Sequence, residues 1–264
     1  MWTLRRTHMA ESIHLVKVPL RAHKLVAFAR SRALPVREFD DGYVAHAVMR
    51  ELWQERAPAP FALRGQGGLL EAWGYAPVDA GTLAEGVHAS QDAAIVGTLG
   101  RIDDMQSRTV PRIGQGRRVG FVVRACPVVR LAKARNGHRA GAEVDAFLAR
   151  CFAVEKGVPL SREGVYREWL ERALSRPGTG VVPRRVGVAA MSRTRLLRRT
   201  HGTSRASRQV ERPDVTFEGE VVVEDGDLLL RYLAHGVGRH RAFGFGALML
   251  TPAGTAADLA AQKC

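Results

Sequence analysis

Tyr43, His46 and Arg50 stand three and four residues apart in a stretch whose apolar residues recur at helical spacing. On an α-helix such steps bring side chains to one face. A phenol, an imidazole and a guanidinium then point the same way, while Val44, Ala45, Val48, Met49 and Leu52 cover the opposite side. An imidazole with an ordinary pKa of about 6.5 exchanges protons near neutral pH. As general base or acid it contributes about 10²–10⁴-fold. The phenol can orient a phosphate or ribose, and the guanidinium can neutralise charge that develops on a phosphorane. The trio suits scission of RNA, which carries its own nucleophile in the 2′-hydroxyl. The catalyst need only take that proton, hold the attack in line and protonate the leaving 5′-oxygen. No metal is required, and the expected products are a 2′,3′-cyclic phosphate and a 5′-hydroxyl. The plainer alternative is a surface or partly buried histidine without chemistry, which for an isolated helix is the commoner case.

Two further groups of residues favour phosphates. Gly236, Gly238, Gly244 and Gly246 surround Arg239, His240 and Arg241 in eleven residues. Without Cβ atoms such a loop brings backbone N–H groups close to phosphate oxygens, and the basic side chains add charge-assisted bonds. A hairpin that merely turns the chain is the competing account. The run from Arg184 to Arg212 holds nine arginines and a single carboxylate among its first and last residues' span, Glu211. Its segment Met191–Thr200 reads as a short helix in which Leu196 and Leu197 sit among Arg193, Arg195, Arg198 and Arg199. Arg184, Arg185, Arg205 and Arg208 extend the charge. Guanidinium groups so arranged fit an A-form groove, where shape and phosphates are read more easily than bases. Charge runs are usually solvated tails, but this one is internal and leads directly into a strand, which predicts an ordered projection. Arg21 and Lys24, in a basic segment that extends to Arg37, lie just before the Tyr43 helix and predict further RNA contact.

Composition agrees with a polyanionic partner. The 264 residues carry 40 Lys and Arg against 26 Asp and Glu, a net charge of +14 that attracts nucleic acid. A basic membrane-surface protein would need an amphipathic helix with cations on one face and bulky apolar residues on the other, and none is evident. Cys126, Cys151 and Cys264 include no CxxC pair, and the nine histidines include no HExxH. A disulfide framework, a cysteine-based zinc site and a bound cofactor are therefore not expected. Met1 to Arg6 is followed by no apolar signal core, and no run approaches the roughly 18 apolar residues of a membrane span. These features predict a soluble, cytoplasmic protein.

The elements that must position these groups read as follows. A strand at 13–18 ends at Pro19, a basic helix spans 23–34, and Asp40-Asp41-Gly42 caps a helix over 43–56. Phe61–Leu63 and Leu69–Tyr75 form a hairpin. Ser107 to Gly116, with Pro111 and two glycines, reads as an interdomain linker. A strand follows over 118–124, then helices at 142–154 and 161–175. Val215, Phe217, Val221 and Val223 alternate with Thr216, Glu218, Glu220 and Glu224 as a half-buried strand. A helix at 227–235 and a last strand at 246–251 close the chain. The class is α+β, with two tandem ferredoxin-like (RRM-like) domains at 11–110 and 117–252. The second carries the arginine-rich projection (184–212) and the glycine-rich loop (236–246).

Three stretches in order carry a family resemblance: Arg124-Ala-Cys-Pro-Val-Val-Arg-Leu131, Arg167-Glu-Trp-Leu-Glu-Arg-Ala-Leu174, and Val215-Thr-Phe-Glu-Gly219 followed by Gly236 to Gly246. They resemble the R-A-N-P-x-x-R-L, x-x-W-L-x-R-x-L and F-E-G motifs and the closing glycine loop of CRISPR repeat-processing endoribonucleases, in the CasE branch of the repeat-associated RNA-binding superfamily. Tyr43-Val-Ala-His46 is similar to the Y-x-x-H pair with which these enzymes flank the scissile phosphate. The resemblance implies a metal-independent endoribonuclease that cleaves CRISPR repeat stem-loops and stays with its product beside other effector-complex subunits. The chain departs from the pattern in about twenty extra residues before the Tyr43 helix, and in Arg239-His-Arg241 where relatives often have Pro, Gly and Lys. Both departures add positive charge and are compatible with a divergent or type IV system. Two alternatives stay open: a non-catalytic subunit that binds processed CRISPR RNA, and a nuclease in which Arg37 and Arg241 act without the histidine.

Overall fold

In the computed structural model the first half of the chain runs β1 (His14–Arg21), α1 (Ala22–Ser31), α2 (Asp41–Trp53), β2 (Phe61–Arg64), β3 (Leu69–Ala76), α3 (Ala80–His88), α4 (Ala93–Val96) and β4 (Gln106–Thr109). The structure describes residues 12–34, 40–65, 68–155, 157–199 and 207–254, with the backbone alone at 197–199 and 207–209. The sheet order is β2-β3-β1-β4 with every neighbouring pair antiparallel. Alternation along β1 buries Val16, Val18 and Leu20 on one face. There they meet Leu25 and Phe28 of α1 and Val44, Val48 and Met49 of α2 in one core. Asp40 caps α2 by accepting a hydrogen bond from the Tyr43 amide at 2.9 Å, as a short carboxylate at this position commonly does.

The second half runs β5 (Arg118–Ala125), β6 (Val128–Arg130), β7 (Glu143–Asp145), α5 (Ala146–Ala153), α6 (Arg162–Leu174), β8 (Val181–Arg199), β9 (Ser207–Val223), α7 (Gly226–His235) and β10 (Met249–Thr251). Its main sheet, β10-β5-β9-β8, is again antiparallel and has the same order of first, second, third and last strands as the first sheet. Both halves are thus ferredoxin-like units of an α+β fold. Gly219 shows why the Phe-Glu-Gly motif ends in glycine. A Cβ there would lie 2.1 Å from the Arg185 carbonyl oxygen and 2.8 Å from the Phe121 ring. The two halves also share a core: Ile13 and Tyr75 from the first are buried among Phe121, Val123 and Leu248 of the second. The Tyr75 hydroxyl donates to the Leu248 carbonyl at 2.6 Å.

Several elements differ from their sequence reading for identifiable reasons. Met191–Thr200 is not a helix: through Arg199 it belongs to β8, paired with β9 from Met191↔Val215 to Arg199↔Ser207. Nineteen-residue β8 and seventeen-residue β9 form one long hairpin, and cross-strand pairing outweighs the modest helix preference of leucine and arginine. Ser107–Gly116 is not wholly linker, because Gln106–Thr109 pairs with β1. All four residues of β4 are exposed, so no apolar alternation announces it. β1 continues through Pro19 to Arg21. β4 pairs only as far as Lys17, so the proline sits where the ladder on that side has ended. Glu143–Asp145 is a strand, and the helix read from 142 starts at Ala146, capped by Asp145. The last strand begins at Met249 and not at 246, because Gly246 has φ +80° and its carbonyl accepts from the Val237 amide at 2.8 Å.

Candidate nucleic-acid interface

α2 presents Tyr43, His46 and Ala47 at its partly buried edge, while Val44, Ala45, Val48 and Met49 are buried beneath. Its first turn is pressed against a 3-10 turn, Arg241–Phe243, in the middle of the glycine loop. The Tyr43 ring stacks on Phe243 with centroids 5.5 Å apart. A Cβ on Gly42 would fall 2.2 Å from the Phe243 carbonyl oxygen, so only glycine lets helix and loop come this close. Two segments about two hundred positions apart in sequence therefore form one surface. Burial and the nearby Arg50 charge hold the His46 imidazole below its ordinary pKa of 6.5. The lowered pKa keeps the ring neutral at pH 7.

Gly42→Ala is expected to force this seam apart. Overpacking of this kind costs about 1–3 kcal/mol, read as a melting temperature lower by several degrees. Gly81→Ala is the matched control, since its Cβ would meet nothing closer than 3.5 Å. Equal melting of the two variants would show that the contact yields freely.

The loop tip is held from inside. His240, in the left-handed region at φ 63°, has a side chain only 4% exposed, with Nε2 2.7 Å from Glu143 Oε1. Arg239 and Arg212 reach the same buried carboxylate at 3.4 and 3.2 Å. One anion on β7 thus gathers three basic groups and fixes the loop, which a buried carboxylate can do only when so compensated. Arg241 is tied differently: its guanidinium donates to the His235 carbonyl at the end of α7. No carboxylate pairs it among the described residues.

A second boundary of the site is the root of the long hairpin. Thr194, Arg195 and Leu196 of β8 share a cleft of 280 Å³ with Asp40, Gly42, Arg64, Arg124 and Phe243. Leu196 is buried against Cys126, Val128 and Phe245, which pins the hairpin to the body. Arg124 grips Asp214 of β9 through two hydrogen bonds, 2.8 and 2.6 Å, and lies 4.4 Å over the Phe245 ring. Arg193 pairs with Glu211 across the hairpin at 2.7 Å.

The fold brings Tyr43, on the same helix as His46, against the Arg241–Phe243 turn that lies between the loop glycines. It turns Arg50 away, onto the Gln54 carbonyl and Glu55 at 2.9 and 2.7 Å. His240 and Arg239 sit on Glu143. Gly236, Gly238, Gly244 and Gly246 all have positive φ near 72–80°, as tight loop geometry requires of a residue without Cβ. Arg184, Arg185, Arg193 and Arg195 are exposed along β8, Arg21 is partly buried at the end of β1, and Lys24 is exposed on α1. Arg198 and Arg208 are register partners farther along the hairpin, where Arg199 also lies. Arg37 and Arg205 fall outside the described residues. Sequence reasoning missed Arg64, Phe243 and Glu143. It had Arg124 in hand as the first residue of a motif without recognising it as a wall of the cleft. Among the described residues no group of three or more His, Cys, Asp or Glu could hold a metal ion, and no helix is long and apolar enough to cross a membrane.

The chain belongs to the CRISPR-associated protein family, whose model matches residues 13–252. Among solved structures its fold is similar to the CRISPR endoribonuclease Cse3 bound to a 19-nucleotide RNA, with a TM-score of 0.57 and 19% identity over 91% of this chain and 100% of that one. Cse3 of Thermus thermophilus bound to an RNA representing a pre-cleavage complex gives 0.56 and 19%, with the same coverage. A chain of a CRISPR RNA-guided surveillance complex gives 0.50 and 18%, covering 91% of this chain and 99% of that one. A sequence comparison with curated proteins finds no match.

Proposed function

We propose that this protein is a metal-independent endoribonuclease that cuts the stem-loop repeats of CRISPR precursor RNA and keeps the product within an effector complex. The observation that carries the reading is the docking of the first turn of α2, where Tyr43 stands three residues before His46, against the Arg241–Phe243 turn of the glycine loop. A neutral imidazole, its pKa held down by burial and by Arg50, suits proton transfer from a 2′-hydroxyl next to a phosphate. Arg241 neutralises the charge that builds on the phosphorane, and Tyr43 orients the phosphate or ribose. Arg37 stays a candidate for the same charge role, and Arg50 would first have to leave Glu55. The long hairpin supplies the grip on the stem through Arg193, Arg195, Arg198, Arg199 and Arg208, with Arg184, Arg185 and Arg205 beside them. The division into units at 11–110 and 117–252 belongs to the same reading. Its support is the membership of the family, the likeness in fold to Cse3 bound to RNA, and the likeness to a chain of a CRISPR RNA-guided surveillance complex.

A second reading, a non-catalytic subunit that binds processed RNA, draws on Arg50, whose engagement with Glu55 leaves the helix with one fewer cation to offer. The two separate on one experiment. Purified protein is incubated in excess EDTA with a labelled repeat and with the same repeat carrying a single deoxyribose 5′ of the cut. The nuclease cuts only the first and leaves a 2′,3′-cyclic phosphate. Binding of both without cutting selects the second reading. Cutting of the deoxy substrate at the same phosphate removes the 2′-hydroxyl mechanism.

A further inference from the structure

α6 and α7 end beside β6 and the first residues of the glycine loop, and together they enclose a cleft of 870 Å³, within the range of ligand sites. Arg130, Arg172, Arg176, Arg231, His235 and Arg239 line it, and no carboxylate does. Arg172 donates from Nε to the Glu168 carbonyl at 3.2 Å. Among the described residues neither it nor Arg130 nor Arg176 meets a carboxylate. Cations in the last turn of a helix offset its dipole by about 0.3–1 kcal/mol, which accounts for Arg172 and His235. That effect does not account for Arg130, on a strand, or for the exclusion of every acid from so large a hollow. Arg239 is answered by Glu143, but no acid in the lining answers Arg130, Arg172 and Arg176, and like charges that share a cleft repel unless an anion joins them.

The walls narrow the class of anion. Trp169 donates its indole N–H to the Val128 carbonyl at 3.2 Å, and Tyr232 donates its hydroxyl to the Ala173 carbonyl at 3.3 Å. Trp169 is only 9% exposed and stacks on Phe217 within the core, whereas the Tyr232 ring is partly exposed to the cleft with its hydroxyl already bound to protein. Aromatic surface beside arginines is what unpaired bases and their phosphates use, whereas an acidic peptide needs only the arginines. Gly236 and Gly238 border the cleft, and five residues farther along the same loop Phe243 stacks on Tyr43. Five residues span at most about 18 Å. Cleft and candidate catalytic helix are therefore close enough to serve one strand.

We infer that the basic cleft between α6, α7, β6 and the glycine loop holds single-stranded RNA that flanks the stem-loop, clamped by Arg130, Arg172 and Arg176. The inference rests on the RNA reading of the glycine loop. Its test uses the full chain and three probes: the bare stem-loop, the stem-loop with an unpaired extension on either side, and a short unstructured oligoribonucleotide. Each is titrated against the wild type, against the triple variant Arg130→Ala, Arg172→Ala, Arg176→Ala, and against a control of equal charge, Arg56→Ala, Arg117→Ala, Arg139→Ala, whose exposed arginines lie outside the cleft. One extension is expected to strengthen wild-type binding about tenfold or more. The cleft variant should lose that gain and most affinity for the oligonucleotide, with a log–log salt slope lower by about 2. Its affinity for the bare stem-loop should match the control, and both variants should melt alike. No gain from either extension overturns the inference, as does equal loss in both triple variants. A polyglutamate peptide that binds the cleft while RNA extensions add nothing assigns it to a protein partner. Failure of the wild type to bind the bare stem-loop strikes the proposed function instead, and the oligonucleotide then decides on the cleft.

Discussion

Replacing His46 with alanine is expected to slow single-turnover cleavage of a repeat stem-loop by about 10²-fold or more, with affinity nearly unchanged. The loss is chemical, because the imidazole is the group on the α2 edge that can take a proton at neutral pH. Its pKa lies below 6.5, lowered by burial and then by Arg50. The pH profile distinguishes the two roles open to it. If neutral His46 accepts the 2′-hydroxyl proton, the rate holds steady at neutral pH and falls only as the solution becomes more acid than the lowered pKa. If protonated His46 donates to the leaving oxygen, the rate falls as pH rises through that same value. Arg50→Ala weakens one of the two causes and should move the limb upward. Wild-type cleavage by His46→Ala, with loss in Arg241→Ala or Arg37→Ala, would assign the chemistry to arginine. Tyr43→Phe removes one hydrogen bond but keeps the stack on Phe243, and should cost less.

The second large effect is on binding. Removing Arg193, Arg195, Arg198 and Arg199 together should weaken stem-loop affinity at least about a hundredfold at low salt and lower the log–log salt slope by about 3, at roughly 0.7–0.9 for each lost phosphate contact. In a strand, alternate residues share a face, so Arg193 and Arg195 stand in one row. Arg198 stands directly opposite Arg208. The Arg193–Glu211 pair is half exposed on both sides and contributes little to folding. The quadruple variant should therefore melt as the wild type does. An unchanged salt slope would make the hairpin a solvated arm without a nucleic-acid role.

Legibility in the sequence followed the physics of each segment. The βαββαβ order of both halves was readable because the apolar residues of β1, β5 and β9 alternate and those of α2 and α6 recur at helical spacing. α2 was readable from Asp40 at its cap and from the helical spacing of its apolar residues. The hairpin was misread as a helix because one buried leucine among arginines carries no period, and its partner strand lies outside any short window. β4 was lost to a linker because its four residues are all exposed. The loop glycines were evident, but not the reason for the basic residues between them. Glu143 lies about a hundred positions upstream, and only the fold shows that His240 is turned inward to meet it. Arg50 is captured by a carboxylate five residues on, which spacing alone does not reveal.

β8 is the outermost strand of its sheet, and an outermost strand of nineteen residues is a template on which another chain can add itself. Proteins keep such borders soluble by placing charge along them. The arginines of β8 thus have a duty before any RNA arrives: two molecules that approach edge to edge bring two rows of like charge together. Under the proposed function, RNA bound along the hairpin would neutralise that row and occupy the surface in the same event. The most basic strand of the protein is in this sense its guard against self-association.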